Sequence, residues 1–378
     1  HYPVVAMTGP RQSGKTTLAR AAFPAKPYLS LEDPDIRDFA DNDPRGFLAQ
    51  YPDGAVFDEV QRCPALLSYL QGMVDADPSP GRFILTGSQQ FGLLSGISQS
   101  LAGRVGLLQL LPFSLAEVSD AAAPASLEEL LFNGLYPPVH DRGLPPHVWY
   151  ADYTATYVER DVRQMVNVRD ISSFQRFLRM CATRTAQPVN LSALAADCGI
   201  THNTAAAWLS VLEASYLVFR LPPYFRNFGK RLVKTPKLYF YDAGLAAWLA
   251  GVRSVEELRH GPMRGALFET WVVGEVMKRI NHRLLSVQPF HWRDNVGHEV
   301  DVLIEREGRL LPLECKAGAT AAGDWFAPIE HFLDLVGADS AGLIYGGQDR
   351  YRRGRVEVYG WRAIEEALDQ LLGKEYGL

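Results

Sequence analysis

The feature that most constrains this chain is the glycine-containing segment GPRQSGKTT, residues 9–17. It follows the apolar run of residues 4–7 directly and leads into residues that favour a helix. A strand, a loop and a helix in this order are typical of a phosphate-binding loop, whose backbone N–H groups turn inward around a di- or triphosphate. Lys15 adds a positive charge for the β and γ phosphates, and the Thr16 hydroxyl is a candidate Mg²⁺ ligand. The predicted nucleotide-binding residues are Gly9, Pro10, Arg11, Gln12, Ser13, Gly14, Lys15, Thr16 and Thr17.

A second element of the predicted phosphate site is the short apolar strand that ends in Asp58 and Glu59. In P-loop ATPases a carboxylate at this position holds Mg²⁺, and a neighbouring group orients the attacking water. Two acids at a strand end are also an ordinary way for a strand to enter a loop. Together with the upstream loop, the pair predicts Asp58 as a cofactor-binding metal ligand and Glu59 as a catalytic residue.

A third strand, residues 82–86, leads into Gly87 and Ser88. Ligands of open parallel sheets bind outside the carboxyl ends of the strands, so we expect the three clusters to meet in one crevice. Ser88 is then a candidate contact of the γ-phosphate. The alternative is a plain Gly-Ser turn after a strand.

Two further predictions concern the region after these strands. An arginine that reaches the transition state, often from a neighbouring subunit, accelerates phosphoryl transfer. We expect Arg104 in this catalytic role, with Arg62 as the alternative and an ordinary surface ion pair as a third interpretation. Ser114 and Ser126 each begin a Ser-x-x-Glu capping box, which predicts helices that form a lid over the nucleotide.

Bulk composition narrows the class of protein. The chain has 378 residues, 47% of them hydrophobic, which is enough for two or three domains. Its net charge of −5 does not favour polyanions, so a nucleic-acid surface has to be a local patch. The four cysteines are scattered without a CxxC pair, which argues against a zinc site or a disulfide framework and favours buried thiols in a reducing cytosol. No long apolar run occurs, so we expect a cytoplasmic protein without membrane contact.

These motifs together resemble one protein family. The loop Gly-Pro-Arg-Gln-x-Gly-Lys-Thr-Thr, the Asp-Glu strand, the Thr-Gly-Ser turn and the Leu-Ala-Gly-Arg of residues 101–104 are similar to an AAA-type family of predicted ATP-binding proteins from bacteria and archaea. In that family the ATPase is followed by a C-terminal region of unassigned function. The resemblance extends over nearly the whole chain. It implies an ATPase that uses ATP and Mg²⁺, and it implies no settled substrate.

The middle of the chain has the pattern of a helix-turn-helix. Residues 190–212 predict a short helix, a turn at Gly199, an N-capping Thr201 and a longer helix. The apolar stretch that follows can supply a β wing, so the region resembles a winged helix. Upstream, the spacing of apolar residues in 150–168 predicts an amphipathic helix.

A basic segment lies between Glu213 and Asp242. It carries six basic residues, no acidic ones and several aromatic residues, a composition that can bind phosphates. The second helix of the helix-turn-helix is rich in Ala, so we expect recognition of phosphates and shape rather than of base edges. Winged helices also serve as protein-docking modules. The predicted nucleic-acid contacts are Arg220, Arg226, Lys230, Arg231, Lys234 and Lys237.

A second group of charged residues lies near the C-terminus. Residues 298–304 and 310–316 predict a β-hairpin, and a turn at residues 307–308 places Asp301 opposite Glu314. Side chains alternate between the faces of a strand, so four charged side chains project from one side. Two facing carboxylates and a lysine suit Mg²⁺ and an oriented water at a phosphodiester. The residues expected on this face are Glu299, Asp301, Glu314 and Lys316.

The order helix Glu, strand Asp and strand Glu-x-Lys is similar to that of restriction-endonuclease-like nucleases, with Glu269 on the helix. This resemblance implies Asp301, Glu314 and Lys316 as catalytic residues, and Glu269, Asp301 and Glu314 as metal ligands. The same pattern also fits the solvated face of a hairpin, and folds of this class include members that bind nucleic acid without cleaving it. Cys315 is expected in the core.

The predicted fold class is α/β. It comprises a P-loop AAA-type ATPase core (1–118), a helical lid and connector (119–185), a winged helix-turn-helix (186–242) and a restriction-endonuclease-like domain (243–378). We expect an oligomeric ATPase that acts on DNA, with DNA and further copies of the chain as partners. The competing hypothesis is an ATP-controlled switch or docking protein, whose C-terminal hairpin is a binding surface without catalysis.

Overall fold

The structure, a computed structural model, describes residues 1–87, 100–118, 123–158, 170–225 and 235–373. The chain divides into two compact units. Residues 1–112 and 214–216 form the first unit, and residues 113–213 and 217–378 form the second. The predicted four-part division stays a prediction.

A parallel sheet organises the first unit. Its strands are β1 (Val4–Thr8), β2 (Tyr28–Ser30), β3 (Val56–Asp58), β4 (Phe83–Thr86) and β5 (Val105–Gln109), in the order β2-β3-β4-β1-β5. Every neighbouring pair is parallel. The helices are α1 (Lys15–Ala22), α2 (Pro34–Asn42), α3 (Pro44–Ala49) and α4 (Leu66–Ala76). The central strands are short, apolar and buried, as expected for a parallel sheet covered on both faces.

The core of this unit fixes the relative positions of β3 and β4. Phe57 of β3 and Phe83 of β4 are fully buried, and their rings stack with centroids 5.9 Å apart. Because the strands are parallel, β1, β3 and β4 all end at one edge of the sheet. The sheet order places the end of β4 between the ends of β1 and β3.

The second unit begins with helices. They are α5 (Leu127–Asn133), α6 (Pro137–Asp141) and α7 (Pro146–Tyr153). The helix predicted after Ser126 is confirmed, since the Ser126 hydroxyl caps α5 by accepting the Glu129 N–H at 3.1 Å. The Ser114 capping box is also present, but it begins only a single 3₁₀ turn, Leu115–Glu117. The helix predicted for 150–168 is α7 followed by a π-helical turn, Thr154–Val158, and residues 159–169 lie outside the described residues.

The predicted helix-turn-helix is confirmed as a local structure. The elements are α8 (Ile171–Thr183), β6 (Gln187–Pro188), α9 (Leu191–Cys198), α10 (His202–Ala214), β7 (Val218–Leu221) and β8 (Lys237–Phe240). Gly199 has a left-handed backbone with φ 68°, and the Thr201 hydroxyl accepts the Thr204 N–H at 3.1 Å. The strands form a small antiparallel sheet in the order β6-β8-β7.

A mixed six-stranded sheet organises the rest of the second unit. Its strands are β9 (Pro289–Arg293), β10 (Glu299–Arg306), β11 (Arg309–Lys316), β12 (Ala341–Tyr345), β13 (Tyr351–Arg353) and β14 (Val356–Gly360), in the order β13-β14-β12-β11-β10-β9. The helices are α11 (Ala243–Leu249), α12 (Val255–His260), α13 (Arg264–His282), α14 (Phe326–Val336) and α15 (Ile364–Leu372).

The predicted hairpin is β10-β11. Its register agrees with the prediction from the pair Val302 and Leu313 to the pair Arg306 and Arg309. The prediction for the cysteines is also confirmed, because all four are unbridged and buried. The turn at residues 307–308 was therefore sufficient to predict the register of this hairpin.

The turn at Gly199 allows a test of local backbone preference. Gly199→Ala places a side chain on a left-handed residue, and we expect it to lower the unfolding free energy by about 1 kcal/mol. Gly265→Ala in α13 is the matched control, since both glycines have open space around the added Cβ and Gly265 lacks the positive φ. The control should be neutral or stabilising by up to about 1 kcal/mol. Urea denaturation of the second unit measures both, and equal effects of the two variants would contradict this prediction.

Candidate nucleotide site and carboxylate cluster

The loop between β1 and α1 has the backbone geometry of a phosphate-binding turn. Gly14 caps α1 with φ 92°, and Gln12 is also left-handed with φ 64°. A Cβ on Gly9 would lie 2.0 Å from the Leu110 carbonyl oxygen, so only glycine fits there. The loop therefore ends at a helix N-terminus, where backbone N–H groups are available to an anion.

Lys15 is held inside this loop. Its side chain is buried, and Nζ donates hydrogen bonds to the carbonyl oxygens of Gly9 at 3.0 Å and Pro10 at 2.6 Å. These neutral acceptors position the ammonium without cancelling its charge. Lys15 therefore presents its ammonium group inside the predicted phosphate loop.

Asp58 connects the loop to the neighbouring strands. The Thr16 hydroxyl donates to Asp58 Oδ2 at 2.8 Å, and the Tyr28 hydroxyl donates to the same oxygen at 2.5 Å. The Thr86 hydroxyl donates to Oδ1. The two predicted magnesium ligands, Thr16 and Asp58, are thus in direct contact. Hydroxyl and carboxylate oxygens are ligands that Mg²⁺ prefers, so these residues fit the cofactor.

Tyr28 and Thr86 are functional candidates that sequence reasoning missed. Burial and the neighbouring Asp58 carboxylate raise the pKa of Tyr28 well above its usual value, so the phenol stays protonated and donates. Both residues lie on strands that flank β3 in the sheet. The sequence does contain a signal for Thr86, because it is a polar residue in an otherwise apolar, buried strand.

Glu59 follows Asp58 in a strained conformation. Its φ is 56°, which is uncommon for a residue other than glycine. The Glu59 N–H donates to Asp58 Oδ1 at 3.1 Å, and its carboxylate accepts a hydrogen bond from the Gln61 amide. Backbone strain of this kind is concentrated at functional sites, and here it turns the chain sharply at the end of β3.

The predicted arginines lie in ion pairs on the surface of the first unit. Arg104 donates to both oxygens of Asp75, one of them at 3.0 Å, and Arg62 lies 3.1 Å from Glu32. An arginine finger acts across a subunit interface, so the role of Arg104 stays a prediction. Ser88 lies outside the described residues.

A cluster of buried and partly exposed carboxylates lies where β8, α13 and β10 meet in the second unit. Its centre is Lys237, which is 2% exposed. Lys237 Nζ lies 2.7 Å from Glu269 and 3.3 Å from Asp301, and it also pairs with Glu299. Burial lowers the pKa of Lys237, but Tyr239 and the three carboxylates outweigh that effect and raise the pKa well above its usual value. The ammonium therefore stays charged inside the cluster.

The remaining predicted residues adjoin this cluster. Glu314 is buried and pairs with Lys316 at 2.6 Å, while Asp301 Oδ2 accepts the Cys315 N–H at 3.0 Å. Cys315 is buried, as predicted. The site thus brings the predicted side chains into one region, with lysines paired to the carboxylates.

The three predicted metal ligands of this cluster are held by lysines in the structure. In the described part of the second unit, Glu269, Asp301 and Glu314 do not place three ligand oxygens within 4.8 Å of one another. Lys237 lies between Glu269 and Asp301, where a shared cation would bind. The assignment of these three acids as metal ligands stays a prediction, since Lys237 pairs with Glu269 and Asp301 while Lys316 pairs with Glu314.

The predicted nucleic-acid contacts also need one correction. Lys237 is buried among carboxylates and cannot reach a phosphate, so its assignment to a DNA surface is wrong. Arg220 is partly exposed and pairs with Glu213 at 2.7 Å. The other four residues, Arg226, Lys230, Arg231 and Lys234, lie outside the described residues.

The cluster should make stability depend on pH. Burial and Asp301 raise the pKa of Glu314 to about 8, and burial and Asp301 raise that of Glu269 to about 7. A carboxyl whose pKa is raised by folding stabilises the fold below its unfolded pKa and loses this contribution as pH rises through the folded value. We therefore expect the Tm of the second unit to fall between pH 5 and about pH 8.5. Glu314→Gln should flatten this fall in thermal denaturation, and an unchanged slope would contradict the assignment.

Comparison with known proteins assigns the chain to a family. A family model described as an AAA domain matches residues 1–119. Two models for domains of unknown function, DUF8612 and DUF4143, match residues 124–256 and 264–364. Uncharacterized protein Rv2008c of Mycobacterium tuberculosis is 32% identical over 332 residues, covering 84% of this chain and 71% of the relative. The chain belongs to this family of AAA-type ATPases with C-terminal domains of unknown function. Uncharacterized protein Mb2031c of Mycobacterium bovis matches with the same identity and coverage.

Solved structures show more distant similarity to this AAA-type protein. The Walker-type ATPase PABY2304 of Pyrococcus abyssi is 15% identical, covers 66% of this chain and 91% of its own, and has a TM-score of 0.43. RuvB T158V of Thermotoga maritima is 21% identical, covers 58% and 82%, and has a TM-score of 0.27. Among the described helices, none has both the length and the apolar composition needed to cross a membrane.

Proposed function

We propose that this protein hydrolyses ATP and couples the turnover to binding and processing of DNA. The observation that carries the ATPase part is the 2.8 Å contact between the Thr16 hydroxyl and Asp58, next to the loop that holds Lys15. Thr16 and Asp58 would hold Mg²⁺, which neutralises charge on the β and γ phosphates. Lys15 adds a second positive charge beside the ion.

Glu59 is the residue that orients the attacking water in this proposal. It directly follows Asp58, and its left-handed backbone turns the side chain out of the strand direction. The Gln61 amide holds its carboxylate. A carboxylate one residue beyond the metal ligand is suited to accept the proton of a water at the γ-phosphate.

The DNA part of the proposal is supported by the surface of α10. Trp208 of α10 packs edge-on against Phe174 and Phe177 of α8, with ring centroids 5.4 and 5.6 Å away. These contacts fix the position of α10 against α8. Its exposed residues are His202, Asn203, Ala207 and Ser210, none of which is acidic. Polar side chains without a carboxylate at the start of a second helix are compatible with phosphate and shape recognition.

The Lys237 cluster favours a second candidate function for the C-terminal region. With an ammonium among the acids, this region acts as a binding module rather than as a nuclease. The whole chain would then be an ATP-controlled switch that docks onto a partner. Incubation of supercoiled plasmid with the protein and Mg²⁺ or Mn²⁺ tests this point. We expect no nicking, whereas nicking that disappears in Asp301→Asn would restore the nuclease assignment.

The decisive experiment measures steady-state ATP hydrolysis without nucleic acid and with single-stranded, duplex and branched DNA. We expect Lys15→Ala to lower turnover by about 10²-fold, because it removes a charge that stabilises the transition state. Lys26→Ala is the control, since Lys26 lies outside the predicted nucleotide site and its Nζ donates to the Asp53 carbonyl at 3.2 Å on the surface. Stimulation by one DNA form, weakened by added salt, supports the coupled ATPase. Turnover that depends on Lys15 and is indifferent to every DNA form supports the switch.

A further inference from the structure

A group of three potential metal ligands lies outside both sites described above. Asp294 and His298 lie at the two ends of the turn between β9 and β10, and His331 lies on α14. One ligand atom from each of the three side chains lies within 4.8 Å of the other two. Among the described residues, no other set of three His, Cys, Asp or Glu side chains meets this condition. We propose that Asp294, His298 and His331 bind a divalent transition metal, with Zn²⁺ as the preferred ion.

The carboxylate of this group is rigidly oriented. Asp294 is almost fully buried, and its Oδ1 accepts the N–H groups of Val296, Gly297 and His298 at 2.9, 2.8 and 2.9 Å. Three backbone donors on one oxygen leave Oδ2 facing the imidazole of His298, whose Nδ1 is 2.9 Å away. The turn therefore presents a fixed anionic oxygen beside a fixed ring, which lowers the entropy cost of binding an ion.

The second imidazole comes from a different element. The rings of His298 and His331 have centroids 4.4 Å apart and an interplanar angle of 34°. Tetrahedral zinc with bonds of about 2.1 Å places its ligand atoms about 3.4 Å apart. Shifts of the ligand atoms by about 1 Å would therefore bring all three to bonding distance from one ion. The histidines lie at the surface side of the buried carboxylate, where such rotations are available.

The core next to the group fixes the distance between the two elements. Trp292, two residues before Asp294, and Phe332, directly after His331, are both fully buried. Their ring centroids are 4.8 Å apart. The strand that leads into the turn and the helix that carries His331 are thus packed together independently of any ion. A site on rigid elements holds ligand geometry better than one on loops alone.

The ligand types select the class of metal. Two imidazole nitrogens and one carboxylate suit Zn²⁺ and its first-row neighbours, whereas Mg²⁺ and Ca²⁺ prefer oxygen ligands. Three protein ligands leave a fourth position for water or for a group of a binding partner. The turn also carries Val296, which is 75% exposed.

The test is metal binding by the tag-free chain, stripped with a chelator and kept free of nucleotide. Isothermal titration with Zn²⁺ and visible absorption with Co²⁺ should show one ion per chain, with the absorption bands of a tetrahedral nitrogen and oxygen site. His298→Gln and His331→Gln should each weaken binding at least tenfold, a loss of about the size seen when support of a metal ligand is removed. Circular dichroism confirms that both variants fold.

Two controls keep the outcome unambiguous. His260→Gln removes another surface histidine that pairs with a carboxylate, Glu256 at 3.0 Å, and should leave binding unchanged. Asp301→Asn alters the Lys237 cluster and should also leave binding unchanged. Absence of stoichiometric binding in the wild-type chain would overturn the proposal, and so would binding that survives both histidine variants. An ion lost only in Asp301→Asn would place the metal in the carboxylate cluster instead.

Discussion

Glu59→Gln is expected to lower kcat for ATP hydrolysis by about 10²- to 10⁴-fold while ATP remains bound, because the amide cannot accept a proton from water. The substitution keeps the size of the side chain. It also keeps the hydrogen bond that the backbone N–H of residue 59 donates to Asp58 Oδ1 at 3.1 Å. Phosphate release measures kcat, and titration with a fluorescent ATP analogue measures binding.

Two comparisons make this result specific. Asp58→Asn should weaken binding of Mg²⁺ and ATP as well as turnover, since Asp58 lies 2.8 Å from the Thr16 hydroxyl at the predicted metal position. Asp38→Asn on α2 is the control, because it removes an exposed carboxylate outside the predicted site. The Asn42 amide donates to this carboxylate at 2.9 Å. If Glu59→Gln turned over ATP at the wild-type rate, Glu59 would not be the group that orients water.

Lys237→Met is expected to destabilise the second unit by about 3 to 5 kcal/mol, the usual result of removing one partner from a buried ion pair. Methionine has a similar length, so the main loss is the charge that compensates Glu269, Glu299 and Asp301. The effect should be larger at pH 8 than at pH 6, because Glu269, with a pKa of about 7, takes up a proton as pH falls. Thermal denaturation at both pH values measures the loss.

A second variant distinguishes charge from packing. Lys237→Met combined with Asp301→Asn should recover part of the stability, since one uncompensated anion is removed together with the ammonium. Lys316→Met is a useful contrast, because Lys316 is partly exposed and pairs with Glu314 at 2.6 Å. Recovery of Lys237→Met by added Mg²⁺ would show that the cluster accepts a metal once the lysine is gone. A neutral effect of Lys237→Met would contradict the central role of this lysine.

Local pattern was sufficient for several elements of this protein. The loop of residues 9–17, the strand that ends at Asp58, the helix-turn-helix around Gly199 and the β10-β11 hairpin all have strong short-range signals. Each depends on interactions between residues close in the chain, such as glycine at a positive φ, a capping hydroxyl or alternation on a strand. Such preferences do not require knowledge of distant contacts, so they could be predicted.

Long-range packing decided the chemistry around these elements. Lys237 belongs to a basic segment in the sequence, and only the packing of β8 beside α13 and β10 places its ammonium among three carboxylates. Tyr28 reaches Asp58 only because β2 and β3 are neighbours in the sheet. In the same way, His331 meets Asp294 and His298 where Phe332 packs against Trp292.

The sequence by itself determined the phosphate loop, the family and the course of the local elements, because these depend on short segments with strict backbone and patterning requirements. Only the tertiary structure decided which charges are solvated and which are paired. The electrostatic role of a lysine or a carboxylate depends on its burial and on neighbours that are distant in the chain. For that reason Lys237 changes from a predicted DNA contact into the internal cation of the carboxylate cluster.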